Sequence, residues 1–99
     1  MATEISSIAR PYAEAVFAHA SENGKLDLWS EMLEFMAFTV ADTGMKGVIG
    51  NPAIDQASMT KLLLDIGGGR LNDECQNLVK LLVANKKLPA LPEIAAQFE

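Results

Sequence analysis

Two side chains in this chain of 99 residues have the chemistry of a catalyst: the single histidine, His19, and the single cysteine, Cys75. A histidine works as a general base when a carboxylate orients its ring. Along its own predicted helix the one carboxylate in register is Glu22, three residues on, and both can lie exposed at that helix end. Cys75 falls in the first turn of another predicted helix, where the helix dipole favours a thiolate. No histidine adjoins it in sequence, so it reads as a packed, inert thiol. Gly67-Gly68-Gly69-Arg70 has the glycines of a phosphate loop but neither the Gly-Lys-Ser/Thr ending nor a preceding strand, and reads as a helix breaker. No paired-cysteine, His-Glu-x-x-His or aspartate-rich calcium pattern occurs, so neither a metal nor another cofactor is expected. The residues that could do chemistry point away from an enzyme and toward an adaptor.

Charge narrows the partner. The net charge is −5, and the eight lysines and arginines are scattered, with Lys86-Lys87 the one adjacent pair. A nucleic-acid surface needs clustered cations that release counterions, so nucleic acid is excluded as a partner. An acidic surface suits a basic or amphipathic protein partner instead. The longest apolar runs span three or four residues. A membrane span needs roughly 18, so no direct membrane insertion is expected. Met1-Ala2-Thr3-Glu4 does not open a signal peptide, and one lone cysteine suits a reducing compartment; together they predict an intracellular setting. The length allows one domain with one core.

These residues must be positioned by helices, because every segment between turn signals repeats at helical period. The stops are Asn23-Gly24, Thr43-Gly44, Asn51-Pro52, the three glycines from Gly67, and Asn85-Lys86-Lys87. Asp55 and Asn72 are the predicted caps of the fourth and fifth helices. The reading is an all-α, compact six-helix bundle with helices at about 4–22, 25–41, 44–50, 55–66, 73–85 and 90–99. Helix one is expected to run through Pro11 with a bend there. In helix two, Leu26, Trp29, Leu33, Met36 and Val40 form the core stripe, and the Trp29 indole nitrogen is expected to find a partner near the rim. The chain stops at Glu99 inside an amphipathic pattern, which predicts that it is part of a longer protein.

Two helices carry more apolar surface than a small bundle needs. In Leu78-Val79-Lys80-Leu81-Leu82-Val83-Ala84 the apolar positions cover roughly 200° of the helix, about twice the stripe of an ordinary surface helix. Helix one shows the same excess. Its arc divides into a core half (Ala9, Ala13, Val16, Phe17 and Ala20) and a flank of Ile8, Tyr12, Ala15 and His19. Helix five divides into Val79, Leu82 and Val83 against Asn77, Leu81 and Ala84, with Leu78 between. Either both helices are sandwiched by the other four, or their flanks form a trough that takes an amphipathic helix. A helical regulatory or adaptor domain that self-associates through the same surface is the alternative.

Ala9-Arg10-Pro11-Tyr12-Ala13 followed by Ala15-Val16-Phe17 resembles the opening helix of the delta subunit of F-type ATP synthases, the oligomycin-sensitivity-conferring protein of mitochondria. Asn77-Leu78-Val79-Lys80-Leu81-Leu82, Asn85-Lys86-Lys87-Leu88 and Leu91-Pro92-Glu93-Ile94 with Phe98 resemble that family's fifth and sixth helices. Asn51-Pro52 and the glycine break match its layout. The resemblance implies the N-terminal domain of a non-catalytic stator subunit, residues 1–99 here, without the C-terminal domain that contacts the b-subunit stalk. It implies a groove between helices one and five that receives the amphipathic N-terminal helix of an alpha subunit. That contact anchors the catalytic head against rotor torque during ATP synthesis and proton transport. Carried over by position, the groove residues are Ile8, Tyr12, Ala15, Asn77, Leu78, Leu81 and Ala84. The absence of a targeting extension points to a bacterial form, peripheral on the cytoplasmic side of the inner membrane, and the isolated domain is expected to be a monomer.

Overall fold

Six helices, and no strand among the described residues, make up the chain in a computed structural model that describes residues 2–99, with side chains from Ile5 onward. They are α1 (Ala2–Glu22), α2 (Leu26–Ala41), α3 (Thr43–Ile49), α4 (Gln56–Gly67), α5 (Asp73–Ala84) and α6 (Leu91–Phe98). Short 3-10 turns at Gly68–Arg70 and Leu88–Ala90 lead into α5 and α6. α1 continues through Pro11. The helix starts are fixed by side-chain caps. Asp42 accepts from Met45 N at 3.1 Å, Asp55 from Ser58 N at 2.7 Å, and Asn72 from Cys75 N at 2.8 Å. Bonds from the Ser58 side chain and backbone hold the Asp55 carboxyl below its ordinary range.

Two helix ends are built on one pattern with one difference. After α1, Lys25 N bonds Ala20 O at 2.8 Å and Gly24 N bonds Ser21 O, with Gly24 at φ +65°. After α5, Lys87 N bonds Leu82 O at 2.8 Å and Lys86 N bonds Val83 O, with Lys86 at φ +57°. This paired-bond closure favours glycine at the left-handed position, because a Cβ crowds the neighbouring carbonyl there. Lys86→Gly should therefore stabilise the chain by about 1 kcal/mol, read as a higher midpoint in urea unfolding.

The shortest of the well-packed helices is the centre. α6 lies against both α1 and α2, and its Leu91, Ile94 and Phe98 are buried. α1 meets it through Ala9, Ala13, Val16 and Ala20, three of them small enough to let the helices approach closely. α2 contributes Trp29, Met32, Leu33, Met36 and Val40. α4 packs on α5, burying Met59 and Leu63 with Cys75, Val79, Leu82 and Val83. Gly67 is buried at the end of α4 because the Leu71 side chain fills the space a Cβ would take.

Two core expectations fail at the edges of their stripes. Phe17 is 46% exposed and touches the core only edgewise, with its ring 5.5 Å from that of Phe98. It stands at the far margin of the α1 arc, where a large ring overhangs the narrow α1–α6 seam of alanines. Leu26 is 38% exposed at the first residue of α2, and Met32 takes a core position instead.

Candidate functional site

α1 and α5 lie side by side but are joined by side chains rather than by close backbone packing. At one end the Nε2–H of His19 donates to the Glu74 carboxylate. At the other, Asn85 Nδ2 donates to the Tyr12 hydroxyl at 3.1 Å. Residue numbers rise along α1 as they fall along α5, so the helices are antiparallel. The two cross-links stand two turns of α1 apart, about 10 Å.

Between the helices lies an open depression of about 340 Å³. Ala15, Val16 and His19 form its α1 wall, and Glu74, Asn77, Leu78 and Leu81 its α5 wall, while Trp29 of α2 lines it from beneath. The rim is polar and the interior apolar. Leu81 is 48% exposed, an aliphatic side chain held open to solvent on a helix whose other face is sealed.

Of the seven residues assigned to the groove, Ala15, Asn77, Leu78 and Leu81 come together in this depression. Tyr12 is half-buried and closes one end of the trough through Asn85. Ile8 is exposed one turn further along the same α1 stripe. Ala84 lines a different depression, with Lys80 and Val83, on the side of α5 that faces α4. Three residues belong to the site that the sequence reading did not place there, Val16, Glu74 and Trp29, and His19 joins them from the open flank of α1 that helical geometry had marked. Glu74 precedes Leu78 by one turn, so the helical spacing that marked His19 one turn after Ala15 would have found it too. Trp29 sits on a third helix, which no spacing argument along α1 or α5 reaches.

The Trp29 indole nitrogen corrects an expectation. It is buried and has no hydrogen-bond partner among the described residues. The sequence placed it at the rim, but Trp29 is only 3% exposed as part of the core, with the His19 ring nearly perpendicular to it, 6.2 Å between centroids.

The same geometry separates the two groups that a nucleophilic mechanism would need together. His19 bonds Glu74 rather than Glu22, and its Nδ1 faces the Asn23 amide at 3.5 Å. Cys75 points into the core, and burial pushes its thiol up to about 12. Desolvation outweighs the helix dipole here because the sulfur has left water altogether. The folded chain should resist a thiol reagent such as dithionitrobenzoate at pH 8 and react fully once unfolded in guanidinium. The raised value also sets a sign. An unfolded thiol ionises near 8.5, so this contribution to stability is whole below that pH and is lost as pH rises toward about 12. Among the described residues no group of three or more histidine, cysteine, aspartate or glutamate side chains is placed to hold a metal.

In class this is an all-α bundle with an apolar trough open between two antiparallel helices. The ATP synthase delta (OSCP) subunit family matches residues 8–99, and the chain belongs to that family. It is 47% identical over 96 residues to the ATP synthase subunit delta of Methylobacillus flagellatus and 44% identical over 96 residues to that of Chromobacterium violaceum. Each alignment covers 97% of this chain and 54% of the relative. The subunit delta of Cupriavidus necator is 45% identical over 97 residues, with 96% and 54% covered. The chain thus spans about half the length of the curated relatives it matches.

Proposed function

We propose that this chain is the N-terminal, head-binding domain of a peripheral-stalk subunit. In this reading it catalyses nothing. It takes the amphipathic N-terminal helix of an alpha subunit into the α1/α5 trough and so anchors the catalytic head against rotor torque during ATP synthesis and proton transport. The remaining half of the subunit, as long again in the relatives, would engage the b-subunit stalk. The assembly would lie on the cytoplasmic side of a bacterial inner membrane. No described helix is long and apolar enough to cross a membrane, which suits a subunit held there by its neighbours.

One observation carries the reading. Ala15 from α1 and Asn77, Leu78 and Leu81 from α5, chosen by helical geometry and by the family's pattern, line one apolar depression with polar ends. Its shape suits a helix laid along it: apolar in the middle for the hydrophobic face, polar at the rim for the flanks. Burying ~400 Å² of apolar surface would yield on the order of 10 kcal/mol before the entropy of association removes much of it.

A synthetic peptide matching the alpha-subunit N-terminal helix should titrate to saturation at one per chain by calorimetry, with the free chain monomeric at micromolar concentration by sedimentation. No heat, together with no amide shift on α1 and α5, would overturn the reading. Concentration-dependent sedimentation would favour self-association through the same face.

A further inference from the structure

Trp29 is the one residue of the trough whose chemistry the docking reading leaves unexplained. It is 3% exposed, it lines the depression, and its Nε1–H has no partner among the described residues. Buried donors are paired in the great majority of folded chains, so an orphan asks for a reason. The His19 ring, which also lines the depression, stands nearly perpendicular to the indole at 88°, 6.2 Å between centroids. That ring is engaged elsewhere, with Nε2–H donating to Glu74 and Nδ1 facing Asn23. His19 therefore packs against the indole without satisfying its donor.

We propose that the helix docked in the trough presents a hydrogen-bond acceptor to Trp29 Nε1 at the level of His19 and Glu74. The acceptor is a carboxylate, an amide oxygen or a hydroxyl, one polar side chain interrupting the apolar face of the occupant. This rests on the docking reading and adds a determinant of specificity to it. Nε1 is out of solvent contact, so the acceptor reaches it when the His19 ring turns away and releases Glu74. The exchange favours docking. The side chains of His19 and Glu74 are each 44% exposed, and a pair so open to solvent adds little stability, so little is lost when they part. The indole donor, unsatisfied and buried, gains a partner that nothing else in the chain offers. A helix with a wholly apolar face at this level would fill the trough but leave the donor orphaned, and would be discriminated against on that ground.

The chain has a single tryptophan, so its indole N–H gives one resonance in a nitrogen-15 spectrum. On titration with the synthetic alpha-subunit N-terminal peptide, that proton should move downfield and its exchange with water should slow. Replacing the polar residues of the peptide by alanine, one at a time, should identify one substitution that abolishes the shift and weakens binding about tenfold. In Trp29→Phe the same peptide substitution should make no difference, since the donor is gone. The indole reading is made on the unaltered chain, so it stands even if Trp29→Phe folds poorly. If the α1 and α5 amides shift while the indole resonance stays in place, the hydrogen bond is refuted and the docking reading survives. If neither moves, docking itself fails and this inference falls with it.

Discussion

Ile94→Ala is expected to lower stability by about 3 kcal/mol, a large share of a small domain's reserve of about 5–15 kcal/mol. Ile94 has no exposed surface and sits on α6, the helix that both α1 and α2 pack against. Removing three methyl and methylene carbons leaves a cavity that three helices border, and none can close it without leaving the other two. For a chain of this length the loss corresponds to a fall of the thermal midpoint on the order of 15 °C, followed by circular dichroism at 222 nm. A change of only a degree or two would mean that α6 is peripheral to the core.

Ala15→Asp should leave that midpoint nearly unchanged and weaken peptide binding by about 3 kcal/mol, roughly a hundredfold in affinity. Ala15 is exposed on the α1 wall of the trough, so an aspartate there is hydrated in the free chain. A docked helix would strip that carboxylate of water, facing Leu78, Leu81 and the like-charged Glu74 on the α5 wall, with no lysine or arginine lining the depression. Calorimetry on the peptide and a thermal melt on the free variant separate the two effects. Unfolding by Ala15→Asp would place the residue in the core. Unchanged binding would move the dock elsewhere.

The helices were legible because their signals are local. Asp55 and Asn72 cap where a short polar side chain precedes an apolar repeat, and Asn23-Gly24 ends α1 as its chemistry requires. The division of α1 and α5 into sealed and open flanks followed from one angle per residue. It held for Ala9, Ala13, Val16 and Ala20 against Ala15, and for Val79, Leu82 and Val83 against Asn77 and Leu81. What was not legible depends on contacts across the fold. The partner of His19 is Glu74, 55 residues away, and no spacing within α1 points to it. Phe17 lost its core place because its neighbours in the seam are alanines, which draw α6 too close for a ring. Trp29 was visible as a core residue, while the lack of a partner for its nitrogen depends on what the other helices bring around it.

The trough is not the only apolar surface on this chain. Phe38, on the outer face of α2, is 79% exposed, and Leu28 on the same helix is 38% exposed. A docked helix must choose between such faces. Intermolecular nuclear Overhauser effects between the unlabelled alpha-subunit peptide and a methyl-labelled chain decide it most directly. The account predicts contacts to the methyls of Ala15, Leu78 and Leu81 and none to Leu28. Contacts confined to Leu28 and the Phe38 face, with Leu81 silent, would contradict it.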